Sequence, residues 1–130
     1  MLRSLIEMTQ CLIVDCRRES RSRVGNLLEP YGFDIAQAEN NDEAISMCKA
    51  EMPDMILLSD QPGPADTSRF LQRLKTAAGR AGGAPVVLMC ADRADEETIG
   101  AAIWNGAADC LVQPFDGAIL ESKLKQFGFA

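Results

Sequence analysis

The sequence predicts one α/β domain in which a parallel five-stranded sheet is covered by helices on both faces. Short apolar runs alternate with amphipathic segments, and 130 residues suit a single core. Runs such as CLIVD at residues 11–15 and MILLS at 55–59 are typical of strands buried on both faces, which belong to parallel sheets. We therefore expect right-handed crossovers and a functional site beyond the carboxyl ends of the strands.

Strands and helices are predicted in strict alternation. The predicted strands cover residues 11–15, 33–38, 55–59, 85–90 and 109–112, with the second near an edge and the third central. The predicted helices cover residues 18–29, 42–51, 68–76, 95–105 and 117–127. Asn41 is the predicted N-cap of the second helix. Prolines and a glycine exclude residues 60–65 from regular structure, and the small residues at 77–84 predict a linker. Residues 1–10 are predicted to be an N-terminal extension, and 11–130 the domain.

Composition excludes several functional classes. The net charge of −6 argues against nucleic-acid binding, and no apolar run is long enough to span a membrane. The chain has no histidine, so imidazole bases, phosphohistidine and histidine-containing metal sites are excluded. Its five cysteines show no CxxC spacing, and the opening residues lack a secretory signal, which together predict a reducing, cytoplasmic location.

The order of motifs resembles the response-regulator receiver domain, the CheY-like fold. The segments that carry the resemblance are CLIVDC, NLLEPYGFDIAQAEN, PDMILLSDQPGPAD, APVVLMCA and NGAADCLVQPFD, and the resemblance covers about residues 11 to 127. The resemblance implies a flavodoxin-like (βα)5 sandwich with strand order 2-1-3-4-5 and a cis peptide bond before Pro114. It also implies a role in two-component phosphorelay signalling. Because the final segment is most similar to single-domain members, we expect the chain to act by itself.

The family's acidic pocket is altered in this sequence. In the family, two acids after the first strand hold Mg²⁺, an aspartate ends the third strand and accepts a phosphoryl group, a Thr or Ser ends the fourth, and a Lys precedes the proline after the fifth. The cation and the Lys offset the charge on the phosphoryl oxygens. Asp15 matches the first acid. Cys16 stands at the second acid, Ser59 at the acceptor, Cys90 at the Thr or Ser, and Gln113 at the Lys.

These replacements predict a pseudo-receiver, a non-enzymatic adaptor that lacks the phosphoacceptor and acts by protein contact. Mg²⁺ binding is expected to be weak or absent, since a thiol is a poor ligand for this hard ion. The predicted partners are a histidine kinase, a phosphotransfer protein or a downstream target, and a homodimer is possible. The alternative is a phosphorylatable receiver in which Asp60 is a shifted acceptor. A thiol-based redox or metal sensor is the least supported hypothesis.

Cysteines and arginines beside the pocket allow both a simple and a functional interpretation. Cys16 and Cys90 are predicted to be semi-buried thiols that fill the altered pocket, too far apart for a disulfide because the third strand lies between them. The arginines in RRESRSR, residues 17–23, are predicted to form a solvated face, and an anion-binding role is the alternative. One of them is also expected to pair with Asp15 in place of the cation.

A partner surface is predicted on the fourth helix, fifth strand and fifth helix. Ile99 and Ile103 are predicted to form the buried stripe of the fourth helix, which leaves Trp104 partly exposed. The resemblance adds neighbours from the strand and the last helix, and Cys110 also replaces the aromatic residue that commonly reports phosphorylation. The predicted surface consists of Trp104, Cys110, Val112, Phe115 and Lys123.

Overall fold

The computed structural model describes residues 8–60, 63–93 and 95–130, in which five strands alternate with five α-helices. The strands are β1 (Gln10–Val14), β2 (Asp34–Ala38), β3 (Met55–Ser59), β4 (Val86–Ala91) and β5 (Asp109–Val112). The helices are α1 (Arg18–Leu28), α2 (Asn41–Ala50), α3 (Pro64–Ala81), α4 (Glu96–Trp104) and α5 (Gly117–Gln126), and a 3-10 turn (Glu29–Tyr31) follows α1.

All five strands are parallel and lie in the order β2-β1-β3-β4-β5. The predicted topology is thus confirmed, with the less apolar β2 at one edge and the fully buried β3 in the centre. The peptide bond between Gln113 and Pro114 is cis, as the resemblance implied. Because every strand runs in the same direction, the carboxyl ends of all five strands meet at one edge of the sheet.

Two apolar layers hold the helices on the sheet. The period of two along β1 sends Leu12 and Val14 to one face and Cys11 and Ile13 to the other. The first face packs against α2, α3 and α4, and the second against α1 and α5. The sheet is therefore buried on both faces, which explains the continuous apolar runs of the central strands.

Helix α3 differs most from the prediction. It begins at Pro64, within a segment assigned to irregular structure, because a proline at the first helical turn needs no hydrogen bond for its nitrogen. It continues to Ala81, so most of the predicted linker is helical. Ala78 is buried there, and alanine favours the helix more than any other residue. Gly82, with φ of 85°, ends the helix in the left-handed conformation.

Other boundaries shift by only one or two residues. The N-cap of α2 is Asn40, not Asn41, because the side chain of Asn40 accepts a hydrogen bond from the backbone N–H of Glu43. Strand β1 begins at Gln10, and the carbonyl of Thr9 already accepts a bond from Asp34. The rest of the predicted N-terminal extension, residues 1–7, lies outside the described residues. No helix within 8–60, 63–93 or 95–130 is long and apolar enough to cross a bilayer.

Candidate functional site

Polar side chains gather at the carboxyl edge of the sheet. Asp15 directly follows β1, and Ser59 ends β3 opposite Cys90 of β4 in the strand register. Gln113 follows β5, where its N–H bonds the carbonyl of Ala91 at 2.7 Å. Asp15 is only 5% exposed and Ser59 only 3%. The structure therefore brings together the sequence-predicted positions of β1, β3, β4 and β5.

Arg17 clamps two acids across this edge. Its Nε and Nη2 donate to Oδ1 and Oδ2 of Asp15 at 3.0 and 3.1 Å, and its backbone N–H also donates to Oδ1 at 2.9 Å. Its Nη1 donates to both carboxylate oxygens of Asp92, at 3.0 and 3.1 Å, in the loop after β4. The expectation that an arginine pairs with Asp15 is confirmed. We refer to Asp15, Arg17 and Asp92 as the arginine clamp.

Other arginines of the first helix bind the same edge, so the prediction of a solvated face is wrong for most of the run. Arg21 is buried, and its Nη1 donates to the backbone carbonyl of Asp15 at 2.7 Å. Arg23 donates to the carbonyl of Phe115 at 3.0 Å and lies over its ring. Only Arg18 of the four arginines is fully exposed. The first turns of α1 lie beside these carbonyl oxygens and the Asp15 carboxylate. The arginine side chains point inward because these groups accept their hydrogen bonds.

The charge on Asp15 is stabilised despite its burial. Burial opposes ionisation and is the largest single influence on the pKa of this carboxyl. Hydrogen bonds from Arg17, together with its guanidinium charge, outweigh it and hold the pKa of Asp15 below its usual value. The bond to Asp15 likewise raises the pKa of Arg17. Asp15 and Arg17 are therefore both ionised at neutral pH.

Ser20, Gln113 and Cys90 also lie at this edge of the sheet. The hydroxyl of Ser20 donates to Oε1 of Gln113 at 3.4 Å. Burial raises the pKa of the Cys90 thiol far above its usual range, and nearby acidic charge adds to the shift. Cys90 is thus a neutral thiol that is buried rather than semi-buried as predicted.

Cys16 does not share this environment. Its side chain is exposed, which contradicts the prediction of a semi-buried thiol in the pocket. The reason is that Asp15 turns inward to Arg17, so the next residue of the chain faces solvent. All five cysteines are free, and β3 lies between the strands that carry Cys16 and Cys90, as expected. This arrangement gives the redox hypothesis no paired thiols.

Asp60 faces the loop after β4. Its backbone N–H bonds the carbonyl of Cys90 at 3.2 Å, and its Oδ2 accepts a bond from the backbone N–H of Asp92 at 3.3 Å. Its Oδ1 is buried and has no hydrogen-bond partner among the described residues. Asp60 therefore contacts the same loop that Arg17 reaches through the Asp92 side chain.

Apolar side chains are exposed on the predicted partner surface. Trp104, the last residue of α4, is 87% exposed, and Val112 of β5 is 41% exposed. Ile103, predicted to be buried, is 47% exposed because Ile99 and Ala102 form the inward stripe instead. Ile119 of α5 is also exposed. We call Ile103, Trp104, Val112 and Ile119 the Trp104 face.

Three other predicted members of this surface are less accessible. Phe115 is only 2% exposed and packs in the core against α5 under Arg23, so its assignment to the surface is wrong. Its ring follows the cis proline, which turns the chain back over the sheet. Lys123 is half-buried and donates to Oδ2 of Asp109 at 2.6 Å. Cys110 is half-buried against the core.

Two contributors were missed by reasoning from the sequence. Asp92 carries the far end of the arginine clamp, and an acid directly after the fourth apolar run was the available signal. Ile119 belongs to the Trp104 face, and its place in the first turn of an amphipathic helix gave only a weak signal.

Comparison with known proteins shows the family to which the chain belongs. The profile of the response regulator receiver domain matches residues 11–125, nearly the whole chain. The chain belongs to this family. It is a receiver domain of two-component signalling.

Individual relatives agree with this assignment. The phosphate regulon transcriptional regulatory protein PhoB of Klebsiella pneumoniae is 31% identical over 114 residues, and the chain spans only about half (49%) of its length. The chemotaxis protein CheY of Bacillus subtilis is 29% identical over 105 residues, which cover 80% of this chain and 84% of CheY. A response regulator structure from Thermotoga maritima shares the fold, with a TM-score of 0.80 at 23% identity over 92% of this chain and 96% of that one.

The residues of this receiver domain do not fit the Mg²⁺ ion that the family implies. Both oxygens of Asp15 are taken by Arg17, and the exposed thiol of Cys16 stands where a second carboxylate is needed. Within 8–60, 63–93 and 95–130, no group of three or more acidic or thiol side chains could hold a metal ion. The guanidinium of Arg17, and not a metal ion, is therefore the cation that contacts Asp15 in this structure.

Proposed function

We propose that this receiver domain runs no phosphoryl cycle and acts as a pseudo-receiver, a non-enzymatic signalling adaptor that works by protein contact. The arginine clamp carries the proposal. Arg17 already neutralises Asp15 and ties it to the loop after β4. The fixed guanidinium replaces an exchangeable metal ion, so the domain keeps one arrangement without phosphorylation.

Side-chain chemistry at the strand ends supports the same proposal. Ser59 stands where the family's aspartate accepts the phosphoryl group, and a hydroxyl needs a nearby base to become a nucleophile. The chain has no histidine to serve as that base. Gln113 carries no charge to stabilise a phosphoryl group, and its side chain accepts a hydrogen bond from Ser20 instead.

Intact-protein mass spectrometry tests this proposal. The protein is incubated with Mg²⁺ and acetyl phosphate, beside a receiver that accepts phosphoryl groups under the same conditions. We expect the control to gain a phosphoryl group and this protein to keep its mass. A phosphorylated product would refute the proposal, and fragmentation would locate the modified residue.

Asp60 is the alternative acceptor, and its unpartnered Oδ1 favours it. One oxygen of this carboxylate is held by the backbone of Asp92, and the other is buried. Attack on phosphorus would therefore require the loop after β4 to move, and the Arg17–Asp92 ion pair restrains that loop. Phosphorylation that is lost in Asp60→Asn but kept in Asp15→Asn would establish this alternative.

The Trp104 face is the surface that we propose for partner binding. An exposed tryptophan next to the exposed Ile103 has the composition of an interface centre, and the Lys123–Asp109 ion pair supplies polar groups on β5 and α5. A histidine kinase, a phosphotransfer protein or a downstream target of a two-component pathway is the proposed partner. A pull-down with wild-type protein and Trp104→Ala from the native cell tests this assignment. Equal recovery of partners by both proteins would exclude the Trp104 face.

A further inference from the structure

A groove between α2 and α3 lies outside the site described above. It has a volume of about 620 Å³, and Ile45, Cys48 and Ala77 contribute to its apolar wall. It lies on the face of the sheet that carries α2, α3 and α4, and none of the altered pocket positions lines it. The groove is therefore separate from the arginine clamp and from the Trp104 face.

The charged side chains of this groove are all cationic. Lys49, Arg73 and Arg80 line it, and no acidic residue does, although the whole chain carries a net charge of −6. Lys49 and Arg80 are exposed and have no ion-pair partner among the described residues. Arg73 pairs with Asp42 at 2.7 Å, but the Asp42 side chain is almost fully exposed. The groove is therefore locally positive on an acidic protein.

The cations follow one stripe of α3. Arg69, Arg73, Thr76 and Arg80 succeed one another at intervals of four, three and four residues, which places them on the same side of the helix. Basic residues near a helix carboxyl end are common because of the helix dipole, and Lys49 and Arg80 fit that explanation. Arg73 in mid-helix does not, and neither does the absence of acids from the groove.

We infer that the groove between α2 and α3 binds an acidic amphipathic helix of a partner protein. Arg73 and Arg80 are two turns apart, about 10 Å along the axis, and a facing helix repeats its side chains at the same spacing. Glutamates at positions i and i+7 of that helix match Arg73 and Arg80 on α3, and the glutamate at i+3 matches Lys49 on α2. One apolar side chain between them contacts the wall formed by Ile45 and Ala77.

Titration of the ¹⁵N-labelled protein with a synthetic helical peptide tests this inference. The peptide carries glutamates at i, i+3 and i+7 and a leucine on the same face, and its control has glutamine at each glutamate. We expect amide shifts at Lys49, Arg73, Thr76 and Arg80 with the glutamate peptide and none with the glutamine peptide. No binding, equal binding of both peptides, or shifts confined to other surfaces would overturn the inference.

A matched pair of variants separates the groove from the total charge. Lys49→Glu/Arg80→Glu should weaken peptide binding by about tenfold, because two attractive contacts become repulsive. Lys75→Glu/Lys125→Glu changes the net charge equally at sites outside the groove, and salt should limit its effect to less than about threefold. Equal losses in the two variants would contradict a local site.

The peptide comparison on wild-type protein stands even if a variant fails to fold. Binding of a short oligonucleotide at the groove, without binding of the glutamate peptide, would replace the proposed protein partner and overturn the inference. The groove and the arginine clamp share no residue. If the peptide does not bind, the phosphodonor experiment still tests the pseudo-receiver proposal, and a phosphorylated product would leave the peptide-binding inference untouched.

Discussion

The guanidinium of Arg17 holds both carboxylate oxygens of Asp15, with Nε donating to Oδ1 at 3.0 Å and Nη2 to Oδ2 at 3.1 Å. The same side chain reaches Asp92, so it ties the end of β1 to the loop after β4. A bidentate ion pair of this kind is both stronger and more directional than a single hydrogen bond. The Arg17 guanidinium is a permanent internal cation at the edge of the sheet where the resemblance to the family implies a metal ion.

Removal of the Arg17 charge should destabilise the fold. In Arg17→Met the buried Asp15 carboxylate loses its counter-ion, which should cost about 2 kcal/mol after allowance for the partial exposure of Arg17. Arg18→Met is the matched control, because Arg18 is exposed and should change stability by less than about 0.5 kcal/mol. Urea denaturation measures both. Equal stability of the two variants would show that the clamp adds nothing to the fold.

The contribution of the clamp should depend on pH in a defined direction. The pKa of Asp15 lies below its ordinary value of 3.8 in the folded protein. Its stabilisation is therefore complete above the unfolded value and is lost as the pH falls through the folded value. The gap in unfolding free energy between wild type and Arg17→Met should stay constant from neutral pH to about pH 5 and then shrink with acid. A gap that widened in acid would have the wrong sign.

The titration of Asp109 should not affect the difference between these two proteins. Burial opposes its ionisation, but the bond to Lys123 outweighs that effect and lowers the pKa of Asp109 as well. Its acid-dependent loss of stability is common to wild type and Arg17→Met and cancels in their difference.

Ser59→Asp alone should fail to create a phosphoacceptor. The new carboxylate would lie in a nearly fully buried position close to Asp15, without a second acid for the metal or a lysine for the phosphate. Combined Cys16→Asp, Ser59→Asp and Gln113→Lys has a better prospect, and Arg17→Met added to these frees Asp15. Mass spectrometry after acetyl phosphate treatment measures each variant. Efficient phosphorylation of Ser59→Asp by itself would mean that the pocket is more intact than we propose.

Trp104 and Phe115 should respond oppositely to truncation. Trp104→Ala should leave the melting temperature nearly unchanged, because its side chain is exposed, and should cost roughly 1–3 kcal/mol of partner binding. Phe115→Ala should cost about 3–5 kcal/mol of stability, because its ring fills the core beside α5. Thermal melts and partner recovery measure the pair. A destabilised Trp104→Ala with normal partner recovery would move the interface elsewhere, for example to the arginine-rich start of α1.

The sequence predicted the sheet well because local apolar runs indicate the strands and the family motifs indicate their order. It did not predict the side-chain orientations that depend on contacts with residues distant in the sequence. The inward turn of Arg17 and Arg21 depends on Asp15 and strand-end carbonyls, which no spacing within the helix reveals. Likewise Phe115 and Ile103 exchanged their predicted burial, because packing against other elements decides which side chains meet the core.

A Mg²⁺ titration followed by thermal melting tests most directly whether Arg17 stands in for the metal ion. We expect no stabilisation of the wild-type protein by millimolar Mg²⁺, since the guanidinium holds both oxygens of Asp15 and the neighbouring Cys16 is a poor ligand. Stabilisation of the wild type by millimolar Mg²⁺ that disappears in Asp15→Ala would contradict the account.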